Sequence, residues 1–146
     1  MSEMFTSQRT VTIEWGDCDP ADIVFYPNYF RWFDASTAHH FKAAGLSKPE
    51  LIRRYGVVGF PMVDTRAKFH IPSRHGDEVV IETTITRFGS SSFDVEHRLI
   101  RDGKLCVEGF EKRVLVKKKQ DGTGITSCPV PDEVKERFFR SGMSDG

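Results

Sequence analysis

A chain of 146 residues with 21 basic and 21 acidic side chains carries no formal net charge, and 38% of it is hydrophobic. Those proportions fit one soluble globular domain with a single core. They argue against a general nucleic-acid or membrane-surface binder, which would show a basic excess, but leave room for a local basic patch that meets a phosphorylated ligand.

Cys18, Cys106 and Cys128 are too few and too scattered for a disulfide framework or a zinc site. No charged-then-apolar leader precedes Val11, and no apolar run approaches about 18 residues. The expectation is a reduced, cytoplasmic protein with no cofactor, no bound metal and no nucleic-acid or membrane partner.

Thr10 to Trp15 alternates, with Val11, Ile13 and Trp15 on one face, and reads as a strand. Gly16 to Pro20 breaks it with loop chemistry. A helix is expected from Pro27-Asn28 to about Ala44, with Gly45 as its stop. Tyr29, Phe30, Phe33, Thr37, His40, Phe41 and Ala44 share its broad apolar face. His40 reads as a hydrogen-bonded core histidine. Asp34, at the edge of that face, needs a partner or a wet cavity. The aromatic residues between 15 and 41, Trp15, Tyr26, Tyr29 and Trp32 among them, suit a core or an apolar pocket for a flat or acyl ligand.

A shorter helix is expected around Pro49 to Tyr55. Strands follow at Val63 to Ile71, Val79 to Phe88 and Phe93 to Leu99, and Asp102-Gly103 marks a tight hairpin into Leu105 to Val116. Asp121-Gly122 closes that strand, and Pro131 to Phe139 suits a short terminal helix. Short connections favour antiparallel pairing, and one helix with a wide apolar face must bury it on the only sheet available. The expected class is α+β: a curved antiparallel sheet of about five strands wrapped around one long central helix.

There is no Gly-x-Ser-x-Gly elbow, no Gly-rich phosphate loop and no metal-ligand spacing among the five histidines. What remains is the loop Gly16 to Tyr26, with Asp17 and Asp19 two residues apart and a helix N-terminus just behind. The free N–H groups there favour developing negative charge. A carboxylate facing such donors is a workable hydrolytic pair, whether it attacks a carbonyl or activates water. Equally, the two aspartates could simply cap a loop.

The stretch Gly16-Asp17-Cys18-Asp19-Pro20-Ala21-Asp22-Ile23-Val24-Phe25-Tyr26-Pro27-Asn28-Tyr29-Phe30-Arg31-Trp32-Phe33-Asp34 resembles the signature of the 4-hydroxybenzoyl-CoA thioesterase family. The resemblance covers roughly residues 8 to 119 and implies a single hot-dog domain over 1–146, with 120–146 as a C-terminal extension. It implies hydrolysis of an aromatic acyl-CoA such as 4-hydroxybenzoyl-CoA to the free acid and CoA, in a homodimer or homotetramer with interfacial active sites. By the same resemblance Asp19 is the catalytic carboxylate, as nucleophile or general base. The backbone N–H of Tyr26 polarises the thioester carbonyl, and Asp34 contacts the ring hydroxyl.

Two departures stand out. Asp22 occupies a position where the family usually has glycine. Phe88-Gly89-Ser90-Ser91-Ser92-Phe93 lacks the basic cluster that meets CoA phosphates in the aryl-specific enzyme, and looks more like the broader short-chain acyl-CoA thioesterases. Arg66, Lys68, Arg74 and Arg87 are the remaining candidates for those phosphates. A non-catalytic acyl-CoA binding module is a further alternative. A hot-dog hydratase would need a histidine near the carboxylate, and the loop from Asp17 to Tyr26 has none.

Overall fold

The structure, a computed structural model, describes residues 3–139. Its centre is a five-stranded antiparallel sheet of β1 (Thr6–Thr12), β2 (Met62–Phe69), β3 (Glu78–Phe88), β4 (Ser92–Arg101) and β5 (Lys104–Val114), in the order β1-β3-β4-β5-β2. Helix α1 (Pro27–Ala43) lies on one face of it, α2 (Lys48–Tyr55) follows, and α3 (Asp132–Glu136) ends the described chain. A small hairpin of β6 (Val116–Lys118) and β7 (Ile125–Ser127) turns at Asp121-Gly122, where one continuous strand to Val116 was expected. The β5 ladder stops at Val114.

The inward rows are set by the two-residue period. Val79, Ile81, Thr83 and Ile85 of β3 face α1 beside Phe93, Val95, His97 and Leu99 of β4. Asp102 and Gly103, with φ of 52° and 75°, form the β4–β5 turn that this dipeptide predicts.

Helix α1 approaches the sheet closely at Gly109. A Cβ there would lie 2.5 Å from the Phe33 ring, which stacks on His97 at 4.8 Å. The buried side of α1 is Tyr29, Trp32, Phe33, Ser36, Thr37, His40 and Phe41. Phe30, expected among them, is only half-buried, and Trp32 with Ser36 completes the face instead. His40 is fully buried against Ser7, with its Nδ1 2.6 Å from the hydroxyl, and stacks on Phe5. Beyond residue 119 the chain adds Cys128, Val130, Val134 and Phe138 to the same core. Two expectations shift. Trp15 is 77% exposed on a 3-10 turn (Trp15–Asp17) rather than at the end of β1, because the chain turns at Glu14. The β2 strand is almost wholly exposed on both faces, as an edge.

Candidate active site

The loop between β1 and α1 is a closed structure held by its own backbone. The Phe25 N–H donates to Asp17 O and the Asp19 N–H donates to Ile23 O, each at 2.9 Å, and Cys18 bridges Val24. Asp22 turns the tip with φ 66°, a left-handed conformation that glycine adopts freely and aspartate tolerates. This explains in backbone terms why glycine suits the position.

The two aspartates separate here. One Asp17 carboxylate oxygen accepts the Glu14 N–H at 2.8 Å and the other meets Arg31 Nη2 at 3.2 Å, so Asp17 fastens the 3-10 turn to α1. Asp19 is half-buried, and among the described residues its carboxylate accepts one local bond, from the Ala21 N–H at 2.8 Å. Its cleft is lined by Trp15, Gly16, Cys18, Pro20 and Asp22. Partial burial, then the charges of Asp22, Asp17 and Asp19, push the Cys18 thiol up, so this cysteine is a poor nucleophile.

Tyr26 is the residue at which α1 begins. The next two donors of the turn are spent locally, Asn28 N–H on Phe25 O and Tyr29 N–H on Tyr26 O, and Pro27 has none. Among the described residues no carbonyl takes the Tyr26 N–H. From Tyr26 one row of α1 carries half-buried Phe30 and exposed Asp34 and Ala38 at intervals of four, a ridge inclined to the helix axis.

Asp34 finds the partner it needs on the sheet. Arg113 of β5 donates from Nη2 to Asp34 Oδ1 at 2.7 Å. The pair sits at the wall of a cavity of about 410 Å³ whose other lining includes Phe41, Lys48, Val58 and Phe60. In the single chain this cavity and the Asp19 cleft share no residue.

Behind Arg113 is a buried polar cluster that reading the sequence missed. Glu111 accepts from Arg113 Nε at 2.8 Å and from the Thr37 hydroxyl at 2.7 Å, with His97 Nε2 at 3.2 Å. Burial alone would raise the Glu111 carboxyl, but His97 and Arg113 outweigh it and hold it below the usual carboxylate range. One signal was available: Glu111 and Arg113 stand on the inward parity of β5, with Val107 and Gly109, where apolar residues belong. Of the candidate phosphate contacts, Arg66 lies over the Phe110 ring and pairs with Asp64, while Lys68, Arg74 and Arg87 are exposed. Among the described residues no three His, Cys, Asp or Glu side chains converge as a metal site. Among the described residues no helix is long and apolar enough to cross a membrane.

A sequence profile of the thioesterase-like superfamily matches residues 13–138. The chain belongs to that superfamily. A 4-hydroxybenzoyl-CoA thioesterase from Pseudomonas sp. (strain CBS-3) is 35% identical over 143 residues, covering 93% of this chain and 98% of that protein. The solved structure of the 4-hydroxybenzoyl-CoA thioesterase of that strain superposes with a TM-score of 0.84 at 33% identity, over 90% of this chain and 98% of that one. A gentisyl-coenzyme A thioesterase structure gives 0.77 at 34% identity, over 90% and 98%. This thioesterase-superfamily chain is therefore a thioester hydrolase on the hot-dog fold, as the motif implied.

Proposed function

We propose that the protein hydrolyses a hydroxyaryl-CoA thioester, with 4-hydroxybenzoyl-CoA as the model substrate, releasing the free acid and CoA. Asp19 supplies the carboxylate that attacks the thioester carbonyl or activates water. The Tyr26 N–H polarises the carbonyl oxygen, and Asp34 accepts the ring hydroxyl. The observation that carries this reading is the α1 ridge. Asp34 lies eight residues beyond Tyr26 on that inclined row, about 12 Å along the axis and about 80° round it. That span suits one para-substituted ring with a hydrogen bond of about 2.8 Å at each end. The names of the relatives, 4-hydroxybenzoyl- and gentisyl-CoA thioesterases, point to the same substrate class.

The site is completed between copies of the chain. Support comes from β2, an eight-residue edge strand carrying exposed Met62, Val63 and Phe69, and from Trp15, Phe25 and Tyr26, each half or more exposed beside the Asp19 loop. A homodimer, or a tetramer of two such dimers, covers these surfaces. We place the protein in the cytoplasm, where its three free thiols stay reduced. Thiol release across aryl, short-chain and long-chain acyl-CoA substrates tests the assignment. Hydroxyaryl esters are expected to give the highest kcat/KM; a maximum on short-chain acyl groups would favour the broader thioesterase reading suggested by Gly89-Ser90-Ser91.

A further inference from the structure

Charge buried beneath α1 serves packing no better than apolar side chains of similar size would, because each ion taken from water costs several kcal/mol. Glu111 is nevertheless 1% exposed and Arg113 5%. Their bonds run in one direction, from the centre of the sheet outward. The Thr83 hydroxyl pairs with His97 Nδ1 at 2.9 Å, and His97 Nε2 lies 3.2 Å from Glu111 Oε2. Thr37 of α1 and Arg113 Nε both donate to Glu111 Oε1. Arg113 Nη1 then donates to Phe60 O at 3.2 Å, and Nη2 reaches Asp34 Oδ1 at 2.7 Å. The guanidinium is thus fixed through all three of its nitrogens, and among the described residues its one exposed partner is Asp34, whose side chain is 67% exposed.

We infer that Arg113, braced by Glu111, is a positioning residue that fixes Asp34 as the specificity carboxylate of the acyl site. The inference rests on the reading of Asp34 as the ring-hydroxyl acceptor. On a helix surface an unrestrained aspartate samples several rotamers, and ordering it on binding would cost affinity. Held through Oδ1, it presents Oδ2 at one place along the α1 ridge. A ring hydroxyl at the matching distance gains a charge-assisted bond with no ordering cost. A ring without the hydroxyl meets an ion pair that is already closed, and gains nothing from it. Lysine cannot reproduce the brace, because a single ammonium cannot span Glu111, the Phe60 carbonyl and Asp34 in a planar fork.

The test is the ratio of kcat/KM for 4-hydroxybenzoyl-CoA to that for benzoyl-CoA, in wild type, Asp34→Asn, Arg113→Lys and the double variant. Both substrates share the thioester, the CoA and Asp19, so a general loss of structure moves both rates and leaves the ratio in place. Each single variant is expected to lower the ratio about tenfold or more, mainly through KM for the hydroxylated substrate, and the double variant is expected to lower it little further. If Asp34→Asn collapses the ratio while Arg113→Lys preserves it, the positioning role is overturned and the Asp34 reading stands. If Asp34→Asn leaves the ratio unchanged, the Asp34 reading itself fails and takes the inference with it. Should Arg113→Lys not fold, Glu111→Gln releases the brace from behind and is read the same way.

Discussion

Asp17 and Asp19 carry the same functional group two residues apart, and the structure gives them different partners. Asp17 is spent on the Glu14 N–H and on Arg31, whereas Asp19 faces a cleft with one local bond. Spacing could not make that distinction; the motif resemblance did. His40 was legible as a core histidine because it fell in register with Phe33 and Phe41, and burial then lowers its pKa to about 3. The unfolded chain takes up that proton near pH 6.5. Between those values the unfolded state binds more protons, so stability falls as pH drops from 6.5 toward 3. Thermal melts between pH 6.5 and 5, above the range of the carboxylates, are expected to show this slope, and His40→Gln to flatten it. At Asp22, glycine relieves the left-handed backbone, so Asp22→Gly is expected to change stability by no more than about 1 kcal/mol. It also removes a negative charge beside the Asp19 cleft. For a polyanionic CoA ester, kcat/KM should then rise, and rise more at low ionic strength. A gain independent of salt would argue against an electrostatic cause.

Among the elements, β3, β4 and the Asp102-Gly103 turn were readable because local alternation and turn chemistry agree with the tertiary placement. The β2 strand alternates just as clearly, yet its apolar row stays in solvent, since the pattern shows that a face exists and not what covers it. The inward charges of β5 were passed over for the opposite reason: their parity sets Glu111 and Arg113 on the buried row, but charged side chains read as surface residues until Thr37 and Asp34 are brought over them from α1. The α1–β5 contact itself is tight. Gly109→Ala places a methyl group within 2.5 Å of the Phe33 ring and is expected to cost about 1–3 kcal/mol, read from a denaturant midpoint. An unchanged midpoint would mean that α1 lifts freely from the sheet.

For the whole molecule, the architecture was within reach of the sequence, while association of copies was an expectation from the family resemblance alone. Light scattering is expected to give a mass of two or four chains. A charge introduced on the exposed edge by Val63→Asp should shift that toward monomer and lower activity together with association; a fully active monomer would remove the interfacial site. The central claim is that Asp19 performs the chemistry. Its most direct test is Asp19→Asn, followed by thiol release from 4-hydroxybenzoyl-CoA with folding checked by circular dichroism. The predicted result is a loss in kcat of about 10²- to 10⁴-fold in a protein that melts as wild type does. Near-normal turnover in that folded variant would contradict it.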